Sequence, residues 1–197
     1  MSKSVEKDVL EQVFLAARTV NAFTAQEVSD ELLMQLYDLM KWGPTSMNCQ
    51  PGHYVAVRSP QAKERLLPLL MSGNQDKTRA APVTVIVATD TQFYKNMPEQ
   101  FPADPGAADM FKSSPELSEA TAVRNCTLQG AYLIVAARML GLDCGPMSGF
   151  DNRAVDAEFF LEGRYQSNFL VNIGFGDPSG NHPRGPRLAF ERAVEIL

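Results

Sequence analysis

The sequence predicts an α+β fold built around a long central helix, and three observations carry that prediction. Two runs rich in β-branched residues, at 83–89 and 167–176, and an alternating segment, HYVAVR (53–58), read as strands. Between them, apolar residues recur at helical spacing over 5–17, 30–42 and 116–140. No internal repeat or compositional break divides the 197 residues, so residues 1–197 form one domain.

Taken in order, Val5, Val9, Leu10, Val13 and Phe14 give the first helix its apolar face, and Arg18 follows it directly. Ser29 is placed to cap a second helix, with Asp30 and Glu31 in its first turn and Gly43-Pro44 at its end. The loop GPTSMNCQPG (43–52) leads into the 53–58 strand. Ser59-Pro60 starts a third helix, which Pro68 kinks or ends. Residues 72–77, SGNQDK, read as polar loop before the buried strand at 83–89. Four prolines between 95 and 115, with no sustained period, read as a long loop or lid. The helix over 116–140 is stopped by Gly141. Its 131–140 stretch is apolar on nearly every side except Arg138, which predicts burial or a subunit contact. LDCGPMSGF (142–150) reads as a turn with exposed amides, Asp151 caps a helix near 152–161, and 188–197 forms a short closing helix.

Charge and cysteine content exclude several functions. Eighteen basic against 23 acidic residues give a net charge of -5, which disfavours nucleic-acid binding. Any anion must therefore sit in a local basic pocket. The N-terminus has no signal-peptide apolar segment, and no apolar run is long enough to span a bilayer, so we expect a cytoplasmic protein with no membrane partner. Cys49, Cys126 and Cys144 are odd in number and widely spaced, which fits neither a disulfide framework nor a zinc ribbon. Two histidines, His53 and His182, and the absence of Walker A, HExxH and GxSxG motifs leave hydrolase and metal chemistry poorly supplied. The glycines at 174, 176 and 180 lack the spacing of a dinucleotide fingerprint and are followed by prolines.

What remains is a set of polar residues between the regular elements: Arg18, Asn48, Gln50, Asn74, Lys77, the Gly145–Gly149 turn, Arg184 and Arg187. The strings MKWGPTSMNCQP (40–51), SGNQDK (72–77), LGLDCGPMSGFD (140–151) and NIGFGDPSGNHPRGPRL (172–188) stand in an order and spacing that resembles the FMN-dependent nitroreductase superfamily over essentially the whole chain. Within it, the sequence is similar to the RutE-type malonic semialdehyde reductases of pyrimidine breakdown.

The resemblance implies a central antiparallel or mixed sheet flanked by helices, and an intertwined homodimer with FMN at its interface. Arg18 and Arg187 would clamp the FMN phosphate, assisted by Thr19, Asn21 and Arg184, because a guanidinium donates two hydrogen bonds to phosphate oxygens. Asn21 stands where the family usually carries a basic residue. Asn74 and Lys77 would face the pyrimidine edge of the flavin, where a lysine stabilises the negative charge of the reduced ring. Pro146, Met147, Ser148 and Gly149 would line the other edge, with Ser148 where relatives often carry a glutamate. Pro44, Thr45, Ser46, Asn48 and Gln50 would reach the flavin of the second subunit.

The activity implied is ping-pong hydride transfer, NADH or NADPH and a small acceptor alternating at the flavin. The acceptor would be malonic semialdehyde, reduced to 3-hydroxypropanoate, and its carboxylate needs a cation from among Lys112, Arg124 and Arg153. No side chain stands out as general acid. A broad nitroaromatic or quinone reductase is the alternative enzyme, and a non-catalytic flavin-binding module the alternative of another class.

Overall fold

The computed structural model describes residues 4–197. At its centre lie β1 (Gly52–Val57), β2 (Val83–Asp90), β3 (Asp143–Met147) and β4 (Tyr165–Gly174), in the spatial order β1-β2-β4-β3. All three pairings are antiparallel, so nothing in the sheet is mixed. Every residue of β2 is buried, as its unbroken apolar run requires of a strand covered on both faces.

The alternation of side chains along β2 feeds two cores. Val83, Val85 and Val87 pack with Val171 and Ile173 of β4 against Leu36 and Met40 of α2 (Asp30–Met40) and Leu133 and Ala137 of α7 (Pro115–Met139). Ile86 and Ala88 face the other way with Leu170, against Leu66 of α3 (Pro60–Leu66) and Val155 of α8 (Asn152–Phe159). Each such aliphatic burial contributes about 1.5–3 kcal/mol, which makes this sandwich of helix, sheet and helix the source of the fold's rigidity.

The helix ends follow local chemistry. Ser29, Ser59 and Asp151 accept hydrogen bonds from Leu32, Ala62 and Ala154, each capping its helix as the sequence predicts. Gly141 stops α7 with a φ of +78°, a conformation costly for any residue with a Cβ. The first helix is α-helical only over Lys7–Leu10 (α1) and widens into a π turn over Glu11–Leu15, where the Ala16 amide donates to Glu11 at 2.8 Å.

Four expectations are corrected. SGNQDK is not loop but the body of α4 (Ser72–Ala80), a helix so polar that only Thr78 is buried. The 95–115 stretch holds two short helices, α5 (Met97–Gln100) and α6 (Ala107–Ser113), and Pro115 opens α7. Pro98 and Pro115 begin helices, where a missing N–H costs nothing, instead of breaking them. GPM of 145–147 lies in β3, which is an edge strand and so tolerates Pro146. The closing helix shrinks to α9 (Phe190–Ala193).

One face of α7 is left uncovered. Leu117, Leu128, Tyr132 and Met139 are all exposed along it, the last two within the 131–140 stretch expected to be buried or to form a subunit contact. No helix among the described residues is long and apolar enough to cross a membrane.

Candidate functional site

Thr19 and Val20 lie at the outer edge of β3, and Phe23 bridges Gly176 just beyond β4. Thr19 forms a parallel bridge with Cys144, and the Val20 amide donates to the Cys144 carbonyl at 3.1 Å. The approach requires glycine opposite: a Cβ on Gly145 would stand 2.6 Å from the Val20 carbonyl oxygen. Beside this segment lies α4, whose Lys77 donates to Asn21 Oδ1 at 3.5 Å. Asn21 in turn donates to the Gly180 carbonyl. One turn earlier on α4, Asn74 Nδ2 donates to the Gly149 carbonyl at 2.8 Å. Hydrogen bonds thus join the chain's beginning, middle and end into one strip, and the polar helix α4 carries Asn74 and Lys77 along it.

The strip opens into a cleft of about 360 Å³ lined by Arg18, Thr19, Asn21, Arg184 and Arg187, with Arg138 at its inner wall. Four arginines and no carboxylate surround it, in a protein of net charge -5. The guanidinium groups are held by backbone carbonyls: Arg18 donates to His182, Arg184 to Leu15 and Ala17, Arg138 to Val13, and Arg187 to Gly185 and Pro186. Carbonyl anchors leave each positive charge without a counter-ion among the described residues, which makes the cleft electrostatically suited to an anion. Arg138 was missed by the assignment of site residues, although it is the single charge in the apolar 131–140 stretch. Lys77 is partly buried and has no acidic partner among the described residues; burial pushes its amine below the ordinary lysine range.

The expected turn over 145–149 is corrected here too. Pro146 and Met147 pair with Val171 and Leu170 in the sheet, and the Met147 sulfur accepts from the buried Thr78 hydroxyl. Only Ser148 and Gly149 lie beyond the strand, Ser148 exposed.

Pro44, Thr45, Ser46, Asn48 and Gln50 are not in this strip. Their loop is pinned to the middle of α7 and to α5: the Ser46 amide donates to Asn125 Oδ1 at 2.8 Å, Asn48 Nδ2 to the Gln100 carbonyl at 2.8 Å, and Gln50 Nε2 to Gln100 Oε1 at 3.1 Å. Met47, Asn48 and Gln50 have φ values of 51°, 50° and 40°, the only non-glycine residues in the left-handed region among those described. Such conformations cost of order 1–3 kcal/mol each and persist where surrounding contacts enforce them. Asn125, the asparagine of an NCT sequon, is buried and spends its amide on this clamp and on the Thr121 carbonyl.

Comparison with known proteins identifies the chain. The family model described as Nitroreductase family matches residues 14–175. A Rhodopseudomonas palustris (strain TIE-1) protein, provisionally named NADH dehydrogenase/NAD(P)H nitroreductase, is 54% identical over the full length of both chains. Two solved structures share the fold: a provisionally assigned nitroreductase of Bacillus subtilis (TM-score 0.85, 20% identity, 98% of this chain and 100% of that one) and one of Exiguobacterium sibiricum in complex with FMN (TM-score 0.83, 18% identity, 100% of both). With a family match over most of its length and a relative this similar from end to end, the chain belongs to the nitroreductase family.

Proposed function

We propose that this protein is an NAD(P)H-dependent FMN oxidoreductase that reduces malonic semialdehyde to 3-hydroxypropanoate in pyrimidine degradation. The observation that carries the flavin part is the cleft in which Arg18, Arg184 and Arg187 gather from opposite ends of the chain. Its donors suit a phosphate monoester. Thr19 and Asn21 add neutral hydrogen-bonding groups, and Arg138 brings a fourth cation. Lys77 and Asn74 lie further along the strip, where the planar ring of FMN would extend, and the FMN-bound Exiguobacterium sibiricum fold supports that reading.

When bound, FMN supplies the two-electron redox chemistry that no side chain here could perform. The protein's part is electrostatic. Lys77 would hold positive charge beside the ring edge where reduced flavin carries its negative charge, and the arginines would fix the phosphate and with it the ring's position. The loop carrying Thr45, Ser46, Asn48 and Gln50 lies outside the strip, with its backbone held in a costly conformation. Both facts support a homodimer in which this loop completes the partner's site. The exposed apolar face of α7 supports the same assembly.

The visible spectrum of untagged protein, followed by anaerobic titration with NADPH and NADH, tests the flavin reading. A yellow protein bleached by either donor is expected, whereas a colourless protein that takes up no FMN would overturn it. The name of the 54% identical relative favours a second reading, a broad nitroaromatic or quinone reductase. A steady-state panel separates the two: preference for nitrofurazone or quinones over malonic semialdehyde removes the aldehyde assignment.

A further inference from the structure

A second cleft, of about 320 Å³, opens between α6, the first two turns of α7 and the far end of β2. Phe111 and Ala122 form its apolar wall, while Lys112, Ser118, Glu119 and Tyr94 bring polar groups to it. Lys112 makes no ion pair among the described residues. Ser118 is nine-tenths buried, yet its hydroxyl has no hydrogen-bond partner. An uncommitted buried hydroxyl is costly unless something bonds it, and this one lines the same cleft as Lys112.

This cleft shares its wall with the strained loop. Phe111 and Ala122 pack in one cluster with Cys49, and Met47 and Tyr94 press against the same cluster. The segment proposed to meet the partner's flavin and the cleft thus pack against the same small core. All three cations that could hold a substrate carboxylate, Lys112, Arg124 and Arg153, are exposed, and of them only Lys112 lines this cleft.

We infer that the cleft between α6 and α7 is the subsite for the carboxylate of a short aldehyde acid, with Lys112 as its cation and Ser118 as a hydroxyl donor. The assignment rests on the reductase reading above. Glu119, exposed at the rim, repels the same carboxylate and sets a second sign to check.

The test titrates malonate calorimetrically into the FMN-loaded protein, whose arginine cleft the cofactor already fills, and measures kcat and KM for malonic semialdehyde and for neutral propanal. Lys112→Gln is expected to weaken malonate at least tenfold and to lower the malonic semialdehyde to propanal ratio of kcat/KM by a similar factor, mainly through KM. Lys112→Arg restores most of both, Ser118→Ala weakens malonate severalfold, and Glu119→Gln tightens it. Malonate that fails to bind wild-type protein, or binds Lys112→Gln equally well, overturns the subsite. If wild-type protein scarcely reduces malonic semialdehyde while malonate binding still depends on Lys112, the subsite stands and the aldehyde reading falls.

Discussion

Charge without counter-charge is the physical theme at the level of single residues. Arg187 reaches only its own neighbours' carbonyls, so its loss removes an anion contact and little else. Arg187→Ala should weaken FMN by about 1.5–3 kcal/mol, roughly 10- to 150-fold, in fluorescence titration, with the melting temperature of the apo protein unchanged. Lys77→Ala should slow reduction by NADPH in stopped flow more than it weakens FMN binding; a normal rate would remove its electrostatic role. The cysteines give the opposite case. Burial pushes Cys49 up to about 11 and Cys144 up to about 12, and raises Cys126 as well. At pH 8 a thiol at about 11 is ionised only to about one part in a thousand, against roughly a quarter at the ordinary value. Iodoacetamide should therefore leave all three unmodified in native protein by mass spectrometry and alkylate them after unfolding.

Elements explain which parts of this arrangement can be read from sequence. The strand at β2 and helices α2 and α7 are legible because an apolar pattern and a capping residue agree, as at Ser29. Helix α4 was not, because its nine residues carry no apolar stripe and are held instead by tertiary contacts, Thr78 with Met147 and Asn172 above all. Edge strand β3 was hidden by Gly145-Pro146, which reads as a turn in isolation and becomes a strand once β4 pairs with it. Arg18, Arg184 and Arg187 stand out only through the family resemblance, since each alone reads as a surface arginine; Arg138 does not, because its neighbours mark the stretch as core. The close crossing at Gly145 yields a test at this scale. Gly145→Ala places a methyl against the Val20 carbonyl, so residues 18–21 must move. A loss of about 1–3 kcal/mol in urea unfolding is expected, together with weaker FMN binding.

In the proposed dimer, assembly would tie the two halves of the site together at the scale of the molecule. The arginine cleft and the loop at 44–50 are apart in one chain, and α7 leaves Leu128 and Tyr132 exposed between the regions a partner would cover. Sedimentation equilibrium should return a dimer, and Leu128→Glu should yield monomers that retain their fold by circular dichroism but hold FMN weakly. Anion capture by arginines from both termini remains the claim on which cofactor, assembly and activity all depend. Its most direct measurement compares FMN with riboflavin, which lacks the phosphate, by calorimetric titration of apo protein and of Arg18→Ala. Wild-type protein should prefer FMN by at least a hundredfold, and most of that preference should vanish in the variant; equal affinity for the two flavins would contradict the account.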